Sequence, residues 1–404
     1  MMKKKSDKNY FEQLNSTLKN HHRAIPFLVV DLDRVDENIE LFKADLKSNA
    51  HFRVVVKSLP SPNLLNYVAE KMNTNRFMVF HQPFLSHLST ILDSKADILL
   101  GKPMPIKTAA FFFKNFPKSK NDFNPYSQIQ WLVDTKKRAL EYLKLAEELK
   151  QTLRLNLEID VGLHRGGFQT LSEVKDVLEI IKASGGKIEF SGFMGYDPHV
   201  VKVPKILRSQ KKSLSSSNNF YNDSKRMVEE QFSELWNDRL TFNGAGSPTV
   251  RLHNTSSSPL NDVAAGSCFV KPSTFDVPTL SNYSPACFIA TPVLKKMKDT
   301  TIPGLEKFKT LLRFINRKNA QSFFIYGGFW KADYVFPEDL QLNTLFGAST
   351  NQTMVNAPMT ANLEVDDFVF LRPHQSEFVF LQFGKLMITR GNEIVDEWGV
   401  LDSD

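Results

Sequence analysis

A single lysine closes an apolar, β-branched run, Arg53-Val54-Val55-Val56-Lys57-Ser58, with Pro60 and Pro62 just beyond. Desolvation at the edge of an apolar core frees an amine as a nucleophile, able to capture a carbonyl compound as a Schiff base. A strand end is also the ordinary place for a surface lysine that keeps its head in water, so Lys57 gains weight only from other segments. One is Glu158-Ile159-Asp160-Val161-Gly162-Leu163-His164-Arg165-Gly166-Gly167, which turns sharply on glycines and presents an arginine. Arg165 there can hydrogen-bond an anionic oxygen, or it can pair structurally with Glu158 or Asp160. Two further segments, Asn243-Gly244-Ala245-Gly246-Ser247-Pro248-Thr249 and Ala264-Ala265-Gly266-Ser267, carry the small residues that let backbone N–H groups approach a phosphate.

Such groups converge only if the elements beneath them share one end. Short β-branched runs recur with helical segments between them, the rhythm of β/α units and a parallel sheet. The expected strands are Arg53 to Val56, Arg76 to Phe80, Asp97 to Gly101, Ile129 to Asp134, Arg154 to Asp160, Phe190 to Tyr196, Leu240 to Gly244 and Ser267 to Val270. Helices are expected at Pro62 to Met72, Lys136 to Lys150, Leu171 to Ala183 and Tyr221 to Trp236. Strand-helix units in this number predict an α/β fold, a (β/α)8 TIM barrel with its active site where the strands end. Its loops after strands seven and eight are a frequent phosphate site, which raises the glycine-rich segments above ordinary turns.

The C-terminal third has a different rhythm. Ser322 to Tyr326, Asp367 to Leu371, Glu377 to Phe383, Lys385 to Thr389 and Glu393 to Trp398 predict an antiparallel β-domain, with Gly384 and Gly391-Asn392 as hairpin turns. The expected organisation is an N-terminal extension over 1–25, a barrel over 26–275 and a β-domain over 276–404 that closes the active site. An early strand, Phe27 to Asp31, is a candidate to pair into that β-domain.

Composition narrows the function classes. At 404 residues and 42% hydrophobic the chain can bury a large core. No apolar run approaches the ~20 residues of a membrane span, and the lysines near the start are followed by no apolar core of a secretory signal; a cytoplasmic protein is expected. Cys268 and Cys287 are too few for a disulfide framework and are expected as reduced core thiols. The net charge of +7 is spread along the chain without a nucleic-acid module. Basic residues are densest from Lys202 to Arg226, and the Ser-rich centre of that stretch, Ser213 to Asn219, is expected as a solvated loop. The 9 histidines lack the paired spacing of a metal-dependent hydrolase, His21-His22 apart.

Taken together, these segments resemble the fold-type III pyridoxal-phosphate enzymes, the alanine racemase class, and within it the D-serine dehydratase and D-threonine aldolase-like group. The resemblance spans roughly residues 25 to 400 and is most specific from Glu158 to Gly166. Lys57-Ser58 matches the cofactor lysine and the hydroxyl residue after it, although the proline usual nearby is replaced by Val54. Gly192-Phe193-Met194-Gly195-Tyr196 is similar to the strand whose tyrosine faces the cofactor ring, and Asn243 to Thr249 to the phosphate loop, with Ala245 and Pro248 as departures.

The resemblance implies that Lys57 binds pyridoxal 5'-phosphate and then acts as base at the α-carbon, that Arg165 holds the phenolic oxygen and Tyr196 meets the ring, and that Gly244, Gly246 and Ser247 hold the phosphate. It further implies an amino-acid substrate and a homodimer, with neither nucleic acid nor membrane as partner. A lyase acting on a β-hydroxy D-amino acid, by dehydration or aldol cleavage, is the expected activity; a racemase and a non-catalytic cofactor carrier are the alternatives. Relatives place a metal-binding histidine and a cysteine or aspartate where this chain has His374 and Ser376. A neutral hydroxyl is a poor divalent-metal ligand, so the divalent metal stays open, and His374 is the candidate general acid in its place. Tyr326, Tyr334, His199, His253 and Cys268 are further acid or base candidates by composition alone.

Overall fold

Parallel strands covered on both faces are apolar along their whole length, and the β-branched runs of this chain become such strands. The computed structural model describes residues 2–116, 122–202, 209–297 and 320–402. The chain divides into two units, one of Ile39–Cys268, Val277–Asn282 and Leu401–Asp404, the other of Met1–Asn38, Phe269–Asp276 and Tyr283–Val400. Among the described residues no helix is long and apolar enough to cross a membrane.

After β1 (Phe27–Asp31), which belongs to the second of these units, come the strands of the first: β2 (His51–Val55), β3 (Arg76–Val79), β4 (Asp97–Leu100), β5 (Ile129–Val133), β6 (Leu153–Glu158), β7 (Ile188–Gly195), β8 (Thr241–Gly244) and β9 (Asp262–Ala265). They close into a parallel barrel, β2 lying beside β9 with Val54 opposite Ala265. Helices alternate with them, and their starts carry the expected signals: Thr135 caps Lys136–Leu149, and Thr170 with Glu173 forms a capping box on Leu171–Ala183. This is the expected TIM barrel.

Strand alternation in β2 turns Phe52 towards Phe42, ring centres 4.8 Å apart, and Arg53 the other way, into the barrel. Arg53 is fully buried. Its Nε donates to Asp262 at 2.8 Å and its Nη1 to Asp97 at 2.6 Å, binding β2 to β9 and β4. Arg76 reaches the other oxygen of Asp262 at 3.3 Å, and Gln130, Asn243 and Asn156 continue the network into β5, β8 and β6. Ion pairing raises the Arg53 pKa against the opposing effect of burial.

The other unit is built on a second sheet, with β10 (Cys287–Met297), β11 (Gln321–Tyr326), β12 (Ala332–Phe336), β13 (Gln341–Leu342), β14 (Gln352–Ala357), β15 (Phe368–Pro373), β16 (Lys385–Arg390) and β17 (Glu393–Gly399). β1 enters it between β10, antiparallel, and β16, parallel. The N-terminal helix Met2–Lys19 packs Phe11, Leu14 and Leu18 on this sheet against Phe288, Phe368 and Phe370.

Three local expectations differ from the structure. The eighth barrel strand is Asp262–Ala265, and Ser267–Val270 is a short helix after it. The strand Asp-Val-Ala-Ala is short and ends in alanines, whereas Ser267–Val270 after it carries the bulkier apolar residues. Ser213 to Asn219 is not a loop but part of the helix Gln210–Gln231, whose buried stripe of Ser213, Ser217, Tyr221, Ser224 and Val228 is amphipathic in size rather than in polarity. Glu377 to Phe383 is a helix, Ser376–Phe380, followed by a 3₁₀ turn, because Ser376, Val379 and Phe380 are buried at helical spacing.

Removing Arg53 would leave the fully buried Asp262 without its closest counter-charge, with only Arg76 at 3.3 Å and the Asn243 amide beside it. Arg53→Met should therefore lower the unfolding free energy by about 3–5 kcal/mol, measured by urea denaturation. An added Asp262→Asn should recover part of that loss, and equal stability of Arg53→Met and wild type would remove the network from its structural role.

Candidate active site

Strand β2 stops at Val55, and a 3₁₀ turn over Val56–Ser58 carries Lys57 beyond it. The lysine is half-buried, with its ammonium 4.4 Å from the ring centre of Phe80, the residue after β3. That ring lies where a side chain at Gly101, just past β4, would have to go. An aromatic surface thus stands beside the amine because the neighbouring strand ends in glycine.

The segment after β6 folds on its own carboxylate. Asp160 Oδ1 accepts from the amides of Gly162 and His164, both at 2.9 Å, and Oδ2 lies 2.8 Å from His164 Nδ1. Burial works against ionisation, but these donors hold the Asp160 pKa below the usual carboxylate range. Phe168 and Glu158 close the loop at 2.8 Å. The loop projects Arg165 outward, its guanidinium 5.2 Å from the ring centre of Tyr196. Arg165 thus meets the ring of Tyr196, while Asp160 is taken up by its own turn.

Tyr196 follows β7, and its ring explains a glycine in the next loop: a Cβ on Gly246 would stand 2.7 Å from Tyr196 Cε2. The carbonyls of Phe193 and Asn243 both lie within hydrogen-bond distance of Tyr221 Oη, at 2.8 and 2.9 Å, so one buried hydroxyl joins β7 and β8 just before the residues they present. From the following loop, Ser247 Oγ accepts from Cys268 N at 3.1 Å and Gly266 N at 3.4 Å. Ser267 Oγ donates to Ser58 Oγ at 3.0 Å, which brings the segment after β9 to the residue beside Lys57. The amide of Gly246 itself is used within the loop, donating to Thr249 Oγ1 at 3.1 Å.

Lys57, Arg165, Tyr196, Gly244, Gly246 and Ser247 therefore share one end of the barrel. His374 belongs to the other unit, at the end of β15, where Nε2 lies 2.8 Å from Asp333 Oδ1. The Ser376 hydroxyl is buried and finds no hydrogen-bond partner among the described residues, and among these no group of three His, Cys, Asp or Glu side chains is set to hold a metal ion. Tyr326 and Tyr334 are on strands of that same unit; burial pushes Tyr334 up to about 12. His253 is buried against Asp197, and His199 lies 3.4 Å from Ser217 Oγ.

Asp197 and Tyr221 were not among the residues singled out from sequence. The signal for Asp197 was its place, directly after the strand-end tyrosine. Glu158 is a second titrating group at this end: burial first, then the charge of Asp134, pushes its pKa from 4.5 up to about 7, with Arg165 opposing.

A carboxyl raised in the folded state binds its proton more tightly there than when unfolded, so its contribution to stability falls as pH rises from about 4.5 to about 7. Wild-type stability relative to Glu158→Gln should decline across that window and level off above it, in urea denaturation series of the cofactor-free proteins. A difference that is flat with pH would mean that Glu158 is not perturbed.

Comparison with known proteins places this geometry. Residues 30–270 match the family model for the alanine racemase N-terminal domain. No curated protein matches the sequence. Among solved structures, D-threonine aldolase from Filomicrobium marinum superposes with a TM-score of 0.70 at 13% identity, covering 95% of this chain and 98% of that one. D-threo-3-hydroxyaspartate dehydratase from Delftia sp. HT23 gives 0.70 at 13%, covering 95% and 99%. Alanine racemase from Bacillus anthracis gives 0.68 at 14%, covering 94% and 98%. The chain belongs to the alanine racemase N-terminal domain family, the fold-type III group of enzymes that bind pyridoxal phosphate.

Proposed function

We propose that this protein is a pyridoxal-phosphate enzyme acting at the α-carbon of D-amino acids, and that its reaction is a lyase reaction on a β-hydroxy substrate. The observation that carries the cofactor part is the convergence at one barrel end of the Lys57 amine, the Arg165 and Tyr196 pair, and the amides facing Ser247. These residues fit the group: an amine for its aldehyde, a guanidinium for its phenolic oxygen, a serine hydroxyl with its oxygen held by two amides for its phosphate, and a glycine at 246 where any Cβ would displace the Tyr196 ring. Similar structures include a D-threonine aldolase and a D-threo-3-hydroxyaspartate dehydratase, both named for 3-hydroxylated D-amino acids, alongside alanine racemases.

When bound, pyridoxal phosphate supplies an electron sink that stabilises negative charge at the substrate α-carbon. Lys57 would hold the group's aldehyde carbon through Nζ, and its free amine would serve as the base for the α-proton of the substrate. Arg165 would fix the charge on the phenolic oxygen, and Tyr196, whose ring lies 5.2 Å from that guanidinium, would meet the ring of the group. Ser247, whose oxygen accepts from the Gly266 and Cys268 amides, would have its hydroxyl proton free for the phosphate, with Gly244 and Gly246 in the same loop. His374, oriented by Asp333, is the proton donor proposed for the departing hydroxyl. Assembly as a homodimer belongs to the same proposal.

Reconstituted protein should show a visible absorbance band, and borohydride reduction should leave a pyridoxyl group on the peptide containing Lys57; labelling of a different lysine would overturn the assignment. A panel of D-amino acids should release an oxo acid with ammonia, or an aldehyde, from β-hydroxy substrates. Appearance of the L-enantiomer alone would replace the lyase with a racemase. Activity lost to a chelator and restored by a divalent ion would make His374 a metal ligand instead of the acid.

Arg165 is assigned to the cofactor's phenolic oxygen and not to its phosphate. Arg165→Ala should accordingly lower kcat by about a hundredfold or more while weakening cofactor affinity by about tenfold or less. The reverse ranking, read from steady-state kinetics and equilibrium titration, would make it a phosphate ligand.

A further inference from the structure

Behind the loop after β8 lies a chain of buried polar groups that the proposed reaction does not use. Asp197, Thr249, His253 and Ser258 are all buried. Asp197 Oδ1 accepts from Thr249 Oγ1 at 2.7 Å, and Oδ2 lies 2.7 Å from His253 Nε2. His253 Nδ1 is 2.9 Å from Ser258 Oγ. A hydroxyl, an imidazole and a carboxylate in line are also the geometry of an activated nucleophile. Here, however, the serine is enclosed, and the second carboxylate oxygen is committed to Thr249, so the line ends inside the protein at both ends.

The proton directions derive from that commitment. The single hydroxyl proton of Thr249 goes to the carboxylate, so its oxygen can only accept from the next partner, which is the amide of Gly246 at 3.1 Å. The Thr249 and Val250 amides return to the Gly246 carbonyl at 2.8 and 3.1 Å. Both polar backbone groups of Gly246 are thereby fixed, the loop has one closed form, and Ser247 is held at its turn towards the Gly266 and Cys268 amides. Asp197 comes from the end of β7, Thr249 and His253 from the segment after β8, and Ser258 from the approach to β9. The carboxylate therefore joins the three segments that frame the proposed phosphate site, with two hydrogen bonds of the charge-assisted kind.

We infer that Asp197, acting through Thr249 and His253, is a positioning residue that sets the Gly244 to Thr249 loop in the form that receives the phosphate of the cofactor. This rests on the cofactor assignment proposed above and extends it to residues that do not themselves touch the ligand. A loop held in advance loses no freedom on binding, and this gain appears only for ligands that carry the phosphate.

Equilibrium titration with two probes separates this from general support of the barrel: pyridoxal 5'-phosphate and pyridoxal, which lacks the phosphate. Thr249→Val should weaken pyridoxal phosphate by about tenfold or more while pyridoxal changes by no more than about twofold, and Thr249→Ser, which keeps the hydroxyl, should restore the difference. Should the valine variant fail to fold by circular dichroism, Asp197→Asn is read in the same way. Equal weakening of both probes, or unchanged affinity in a folded variant, overturns the positioning role and leaves the cofactor assignment standing. Wild-type protein that binds neither probe overturns the cofactor assignment, and the positioning role with it.

Discussion

The barrel of this protein depends on a guanidinium with no access to water. Arg53 spans from β2 to the carboxylates at the starts of β4 and β9, and it does so where a more ordinary barrel would stack branched aliphatic residues. A charge in that position costs several kcal/mol to desolvate, and it is recovered only if Asp97 and Asp262 stand at the right height on their strands. The network therefore fixes register rather than adding much net stability. Once Arg53 is set, alternation places the later residues of the same segment: two positions on is Val55, and two more is Lys57, past the end of the strand.

The inside of the barrel and its strand ends use polar groups differently. Within the barrel the polar side chains bond to one another: Gln130 donates to Asp97 and Thr241, Asn156 to Gln130, and Asn243 to Asp262. At the strand ends, Arg165, Lys57 and Tyr196 have aromatic or solvent-exposed surroundings, and the saturated network lies one layer behind them in Asp197, Thr249 and His253. Burial opposes ionisation of Asp197, yet His253 and Thr249 hold its pKa below the usual carboxylate range. The carboxylate itself repels an anion, so its part is to hold the loop through Thr249, while the cations Lys57 and Arg165, beside the rings of Phe80 and Tyr196, supply the attraction.

Much of this was legible in the sequence because the relevant signals are local. A β-branched run ending in lysine, a glycine-flanked arginine and a small-residue loop each sit at a strand end, and period-2 and helical patterns place those ends together. Two of the misread elements have weak apolar signals: β9 is Asp-Val-Ala-Ala, and Ser213, Ser217 and Ser224 line the buried face of a helix. The third, Ser376–Phe380, lies in a run whose apolar residues fit a strand as readily as the helical spacing of Ser376, Val379 and Phe380. Strand order was likewise visible for the barrel, where neighbours come in sequence order, but the neighbours of β1 on β10 and β16 lie more than half the chain away. The partners of Asp197 were hidden for the same reason: nothing adjacent to it in sequence predicts Thr249 or His253.

The loop's two departures from the commoner small-residue pattern find their explanation in that hidden layer. Ala245 is held at φ 61°, a left-handed conformation that costs a residue with a Cβ about 1–2 kcal/mol. Its neighbours supply the offsetting bonds: Gly246 is bonded at both its N–H and its carbonyl, and Thr249 is tied to Asp197. Pro248 removes a backbone donor from the same loop, while its carbonyl still accepts from Thr279 Oγ1 at 2.7 Å. A loop with more glycine would reach the same form without strain but would also reach others. Here strain at one residue and a buried carboxylate behind the loop replace glycine's freedom with a single conformation, and that conformation is what presents Ser247 to the amides after β9.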